Sequence, residues 1–145
     1  GGKDRDAAGI WQLALGSEQR SSLAYTLIAD ARLRDGQSDA VIQVLKPAYA
    51  QRPTDDEIGK RLAVAYFMNA AYADALPILD GYLTRHPTDA DVLFAAVLAQ
   101  YRVATASGAD VSAADRSKLA KYGVAYKGTQ QPLFLKYLTA LGVGR

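Results

Sequence analysis

The sequence predicts an all-α protein, a right-handed superhelix (α-solenoid) of antiparallel helical hairpins, and three observations carry that prediction. Apolar residues recur at three- and four-residue spacings along most of the 145-residue chain, the pattern of amphipathic helices. Two related strings, RPTDD at residues 52–56 and HPTDA at residues 86–90, place Pro53 and Pro87 34 positions apart, which marks an internal repeat long enough for two short helices. Cysteine is absent, and 50% of the residues are apolar against 22% charged. That composition excludes a disulfide scaffold, a thiolate metal site and a disordered chain.

The elements follow in order. In residues 7–17, Ala7, Trp11 and Leu15 fall at i, i+4 and i+8 before Gly16. This segment reads as the second helix of a hairpin whose first is missing, or as an N-terminal cap helix. With Gly1 and Gly2 taken as residues left by cloning, it points to a piece cut from a longer array. A first full unit spans residues 22–55, with Tyr25, Ile28 and Ala29 in its first helix, Gly36 in the turn, Ala40 in its second helix and Pro53 at its end. Its second helix is read as one residue longer than the next one, and Pro47, late in that helix, is expected to absorb the extra residue by a kink or bulge.

The second unit, residues 56–89, is the most regular. Leu62, Ala63 and Tyr66 share one helical stripe, and Ala75, Leu79, Tyr82 and Leu83 share another. Pro77 lies close to the first turn of its helix, where a missing N–H matters least. The third unit, residues 90–130, starts with a strongly apolar helix and then carries the insertion TASGADVSAAD, in which Ser112 and Asp115 have the spacing of a capping box. The helix so opened, Ala113 to Tyr126, offers Leu119, Tyr122 and Tyr126 as its apolar stripe. The interval from Ala120 to Pro132 reads as that of a displaced second helix. Residues 131–143 form a closing helix that caps the stack, with Pro132 at its start, Leu133, Leu135, Leu138 and Leu141 as its apolar positions and Gly142 as its stop.

Counted from Asp56 to Asp89, these residues resemble the tetratricopeptide repeat. Leu62 and Ala63 match its large and small pair, Tyr66 its first aromatic, Tyr72 the turn aromatic, Ala75 the alanine of the second helix and Pro87 the closing proline. Residues 22–55 match less fully, because Arg32 stands where the aromatic belongs. A related helical-hairpin repeat of the Sel1-like class gives the same architecture. The resemblance implies a single domain that buries its seams between neighbouring hairpins.

Chemistry is sparse. His86, the one histidine, ends a helix just before Pro87 and occupies the position of Arg52 in the preceding repeat, which suits a C-terminal cap. Asp55, Asp56 and Glu57 recur in part as Asp89 and Asp91, as expected of helix N-termini. No phosphate-binding glycine loop, calcium loop or Ser/His/Asp constellation is legible, so no catalytic residue, cofactor or metal is assigned. No apolar run approaches the roughly 18 residues of a spanning helix.

The resemblance implies instead a protein or peptide partner held on the concave side lined by the first helix of each hairpin. The residues projecting there are Asp30 and Arg34, then Lys60, Val64, Phe67 and Met68, then Phe94, Leu98, Tyr101 and Arg102. Phe67 and Met68 are the expected apolar anchors, flanked by charge. A clamp for acidic chaperone tails is not expected: Lys60 matches one of its lysines, but Val64 and Met68 replace its asparagine and second lysine. Two alternatives are a self-assembly module stacking head to tail as a homo-oligomer and weak nucleic-acid binding through the basic C-terminal segment. From Arg116 to Arg145 six basic residues occur and no acidic one, with Tyr122, Tyr126 and Tyr137 interspersed. The formal charge of +2 for the whole chain argues against general nucleic-acid or membrane-surface binding. Abundant alanine and short polar turns suggest a bacterial source, with cytoplasm and periplasm both open.

Overall fold

The computed structural model describes residues 22–143; the expected N-terminal helix over residues 7–17, and Arg145, lie outside them. Among the described residues seven helices follow one another: α1 (Ser22–Arg34), α2 (Ser38–Gln51), α3 (Asp56–Met68), α4 (Tyr72–Arg85), α5 (Ala90–Ser107), α6 (Ala113–Ala125) and α7 (Gln131–Ala140). Among the described residues there is no strand. Two compact units divide between Ala71 and Tyr72.

In the first unit α1, α2 and α3 pack pairwise against one another. Ile28, Val41, Leu45, Ile58 and Leu62 are almost fully buried, with Ala24, Ala29, Ala63 and Ala65 allowing close approach of the backbones. Asp55 caps α3, its carboxylate accepting from the Ile58 N–H at 3.2 Å, while Asp56 and Glu57 occupy the first turn. The acidic cluster thus sits where the helix dipole favours it. Arg32 takes the place of the missing aromatic: its Nη1 donates to Gln37 Oε1 at 3.2 Å, and its carbonyl accepts from the Gln37 N–H at 2.8 Å.

The expected extra residue in the second helix of the first repeat does not exist. Helices α2 and α4 both have 14 residues, and their first residues, Ser38 and Tyr72, keep the 34-residue period. The equivalent of Ala75 is Val41, fully buried, and not Ala40, which is half-buried. Pro47 has nothing to absorb. It lies exposed within a helix that continues to Gln51.

In the second unit α4 packs on α5, α5 on α6 and α7, and α6 on α7. Asp89 caps α5 through the Val92 N–H at 3.3 Å, and its other carboxylate oxygen accepts from the Tyr82 hydroxyl at 2.6 Å. The period persists across the two units. Ile58, Gly59, Leu62, Ala63, Ala65 and Tyr66 are the buried residues of α3, and Val92, Leu93, Ala96, Val97, Ala99 and Gln100, each 34 positions on, are those of α5. Beyond that point the pattern ends. Helix α5 runs to 18 residues and stops at Gly108 in the left-handed conformation (φ 69°), a state glycine adopts without a Cβ penalty. Ser112 then caps α6, its Oγ accepting from the Asp115 N–H at 3.1 Å.

Two expectations for this end require correction. Ala120 is exposed and Pro132 stands in the first turn of α7, so their interval is not that of a second repeat helix. In α7 the inward residues are Phe134, Leu138 and Leu141, all buried, while Leu133 and Leu135 are exposed. Positions 134, 138 and 141 follow the i, i+4, i+7 stripe, which aligning the leucines obscured.

Candidate interaction surface

The expected contact residues of the first unit lie on α1 and α3. The side of α3 opposite its six buried residues carries Lys60, Val64 and Met68, all exposed, with Phe67 half-buried at the margin. Val64 is 48% and Met68 49% exposed, one helical turn apart on the same side. Arg34 is exposed at the end of α1.

Asp30 is engaged within the unit. Arg61 Nε donates to its Oδ1 at 2.8 Å, and Arg61 Nη1 donates to Glu57 Oε2 at 2.7 Å. Burial opposes the Arg61 charge, but the hydrogen bonds it donates to Asp30 and Glu57 outweigh it and raise its pKa above the ordinary value. Asp30 therefore joins α1 to α3. Asn69 supplies a second clasp, accepting from the Ser38 hydroxyl and donating through Nδ2 to Asp39 Oδ1 at 2.6 Å. Sequence reading missed Arg61 and Asn69. Arg61 lies one turn after Glu57, a spacing that suggests the local pair, but nothing local pointed to Asp30.

In the second unit, the outer residues of α5 meet α7. Phe94 has its ring centroid 6.3 Å from Phe134 and 6.1 Å from Tyr137, and Tyr101 lies 4.8 Å from Tyr137. Phe134 in turn stacks on Tyr126 at 4.0 Å and 8°. Phe94, Leu98 and Tyr101 are half-buried and only Arg102 is exposed. The structure thus places Phe94 and Tyr101 in an aromatic cluster of the unit's own making, at separations typical of stabilising ring pairs.

The tyrosines of the basic segment are also engaged. Tyr126 is 3% exposed, and its Oη accepts from the Gln130 N–H at 3.0 Å. Asp80 accepts from the Tyr122 hydroxyl at 2.6 Å and from Lys118 Nζ at 2.8 Å. Burial first, then the hydrogen bond to Asp80 and its charge, push the Tyr122 phenol well above its ordinary pKa. His86 is exposed, with its ring 4.6 Å from that of Tyr82 and its N–H bonded to the Tyr82 carbonyl at 2.9 Å. Among the described residues no group of three His, Cys, Asp or Glu side chains is placed to hold a metal ion, and no helix is long and apolar enough to cross a membrane.

The family model for the tetratricopeptide repeat matches residues 32–101. Over this stretch, just under half of its length, the chain is similar to that family. The match runs from the end of α1 to Tyr101 in α5 and leaves out the part of α5 that overruns the period, together with α6 and α7. No curated protein and no solved structure gives a significant match. Tetratricopeptide repeats generally serve as non-catalytic scaffolds for protein–protein interaction, and the paired helices with their 34-residue burial pattern are the physical form of such a scaffold.

Proposed function

We propose that this chain is a non-catalytic scaffold that binds a protein or peptide segment over the outer face of α3, with Val64 and Met68 as apolar anchors and Phe67 beside them. Lys60 and Arg34 set the register by attracting acidic groups on the partner. One observation carries this reading: two large apolar side chains stay about half exposed one turn apart, on a helix whose other side is fully used in packing. Exposed apolar pairs of this kind favour contact with a partner, and methionine adapts to varied shapes. Of the wider expected set, Arg102 and Leu98 remain peripheral candidates, whereas Asp30, Phe94 and Tyr101 already have partners within their own units.

Photo-crosslinking tests the reading. A photoreactive residue in place of Met68 is expected to capture a discrete protein partner from a lysate of the source cells, and one in place of Lys46, exposed on α2, is not. Equal capture from both positions would overturn the assignment. The double variant Val64→Ser, Met68→Ser should abolish binding of the captured partner while keeping its helical circular-dichroism spectrum.

A further inference from the structure

The last two helices carry a second exposed apolar patch, and its charge is one-sided. Val124 on α6 is 79% exposed, and Leu135 on α7 is 50% exposed. The two helices approach closely where Gly123 meets Leu138: a Cβ at Gly123 would lie 3.0 Å from Leu138 Cδ1. Val124 follows Gly123 directly and Leu135 precedes Leu138 by one turn, so these residues flank the same crossing. Lys121 and Lys127 stand three residues before and after Val124, and Lys136 directly follows Leu135.

These three lysines are exposed and make no ion pair among the described residues, in contrast to Lys118, which binds Asp80. No acidic residue follows Asp115 in the sequence. Exposed aliphatic groups bordered by unpaired cations complement a partner with the opposite pattern.

We infer that the α6–α7 face docks a protein segment that is acidic with aliphatic or aromatic anchors, at a surface separate from that on α3. Protein is favoured over nucleic acid because the rings a base would stack on are turned inward: Tyr126 and Phe134 are buried, Tyr137 lies against Tyr101, and Tyr122 is bonded to Asp80. It is favoured over a lipid surface because the patch offers two aliphatic side chains with no interfacial tryptophan, and fewer cations than the four to eight of a polybasic lipid-binding cluster.

The test pans the chain against a random peptide library displayed on phage, beside direct binding assays with vesicles containing phosphatidylserine and with a single-stranded oligonucleotide. Enriched peptides should be acidic with large apolar anchors. Their affinity should fall at least about tenfold both in Lys121→Glu, Lys127→Glu, Lys136→Glu and in Val124→Ser, Leu135→Ser, and remain unchanged in Val64→Ser, Met68→Ser. Circular dichroism should show all three variants folded, since every altered side chain is exposed. Absence of acidic peptides from the enriched pool, binding indifferent to the α6 and α7 changes, or tighter binding of vesicles or oligonucleotide than of any peptide would overturn the inference. Loss of peptide binding in the α3 variant alone would overturn it and leave the function proposed for α3 standing.

Discussion

Helices α3 and α5 bury the same six positions, yet their outer faces have different fates. Lys60, Val64, Phe67 and Met68 on α3 correspond, 34 residues on, to Phe94, Leu98, Tyr101 and Arg102 on α5. On α3 three of the four are exposed; on α5 only Arg102 is. The difference lies in α7, which packs on α5 and sets Phe134 and Tyr137 against Phe94 and Tyr101. Equivalent positions in a repeat therefore become an open face or a core according to what else the chain brings to them.

The strongest way to break the comparison is to remove that cover. Phe134→Ala should cost about 3–5 kcal/mol, seen as a lower urea midpoint, and should increase binding of a hydrophobic dye as Phe94 and Tyr101 become accessible.

A smaller effect is expected where α6 is tied to α4 through Asp80. Tyr122→Phe deletes the hydrogen bond to the carboxylate and should cost about 1–3 kcal/mol. It should also change the alkaline limb of stability. The folded pKa of Tyr122 is raised above its unfolded value of 10.0, so the unfolded chain loses this proton first. The associated stability is complete below about pH 10 and is lost as pH rises towards the folded pKa. Denaturation followed at increasing alkaline pH should show a steeper decline for the wild type than for the variant.

Smaller still is the effect of the turn between α3 and α4. Gly36 and Ala70 occupy the same repeat position and have φ angles of 71° and 56°. Alanine is strained in that region by roughly 1–2 kcal/mol, part of which glycine returns in unfolded-state entropy. Ala70→Gly should stabilise the chain by about 0.5–1 kcal/mol and Gly36→Ala should destabilise it by a similar amount, both measurable by thermal denaturation.

The smallest change sharpens the comparison most. Val64→Ser with Met68→Ser on α3 should alter stability by no more than about 0.5 kcal/mol, as surface substitutions do. Leu98→Ser at the matching position of α5 should cost more than 1 kcal/mol, because that side chain is half-buried. Equal costs in calorimetry would mean that the two outer faces are alike after all.

Much of the fold is legible in residues that act over short range. The 34-residue period, the Asp55, Asp89 and Ser112 caps, and the stripes of Leu62, Ala63 and Tyr66 or Ala75, Leu79, Tyr82 and Leu83 follow from helix geometry within a few residues. Reading failed where a choice depended on a distant partner. The family pattern favours Ala40, whereas helix length and burial select Val41. The leucines of α7 look equivalent in sequence, but Phe134 faces Tyr126 and Leu135 faces outward. Among the expected contact residues, Lys60, Val64, Met68, Arg34 and Arg102 are exposed, while Asp30 is drawn to Arg61, 31 residues away in sequence.

The sequence by itself determined that this chain forms paired helices with a repeating inner side, because the 3.6-residue turn of a helix fixes which side chains share a face whatever lies around it. Only the tertiary structure decided which second faces stay open, because α5 carries apolar residues nearly all round and so fits equally a solvent-facing groove or a covered core. The deciding contacts come from Phe134 and Tyr137, more than 30 residues further along the chain than their partners on α5.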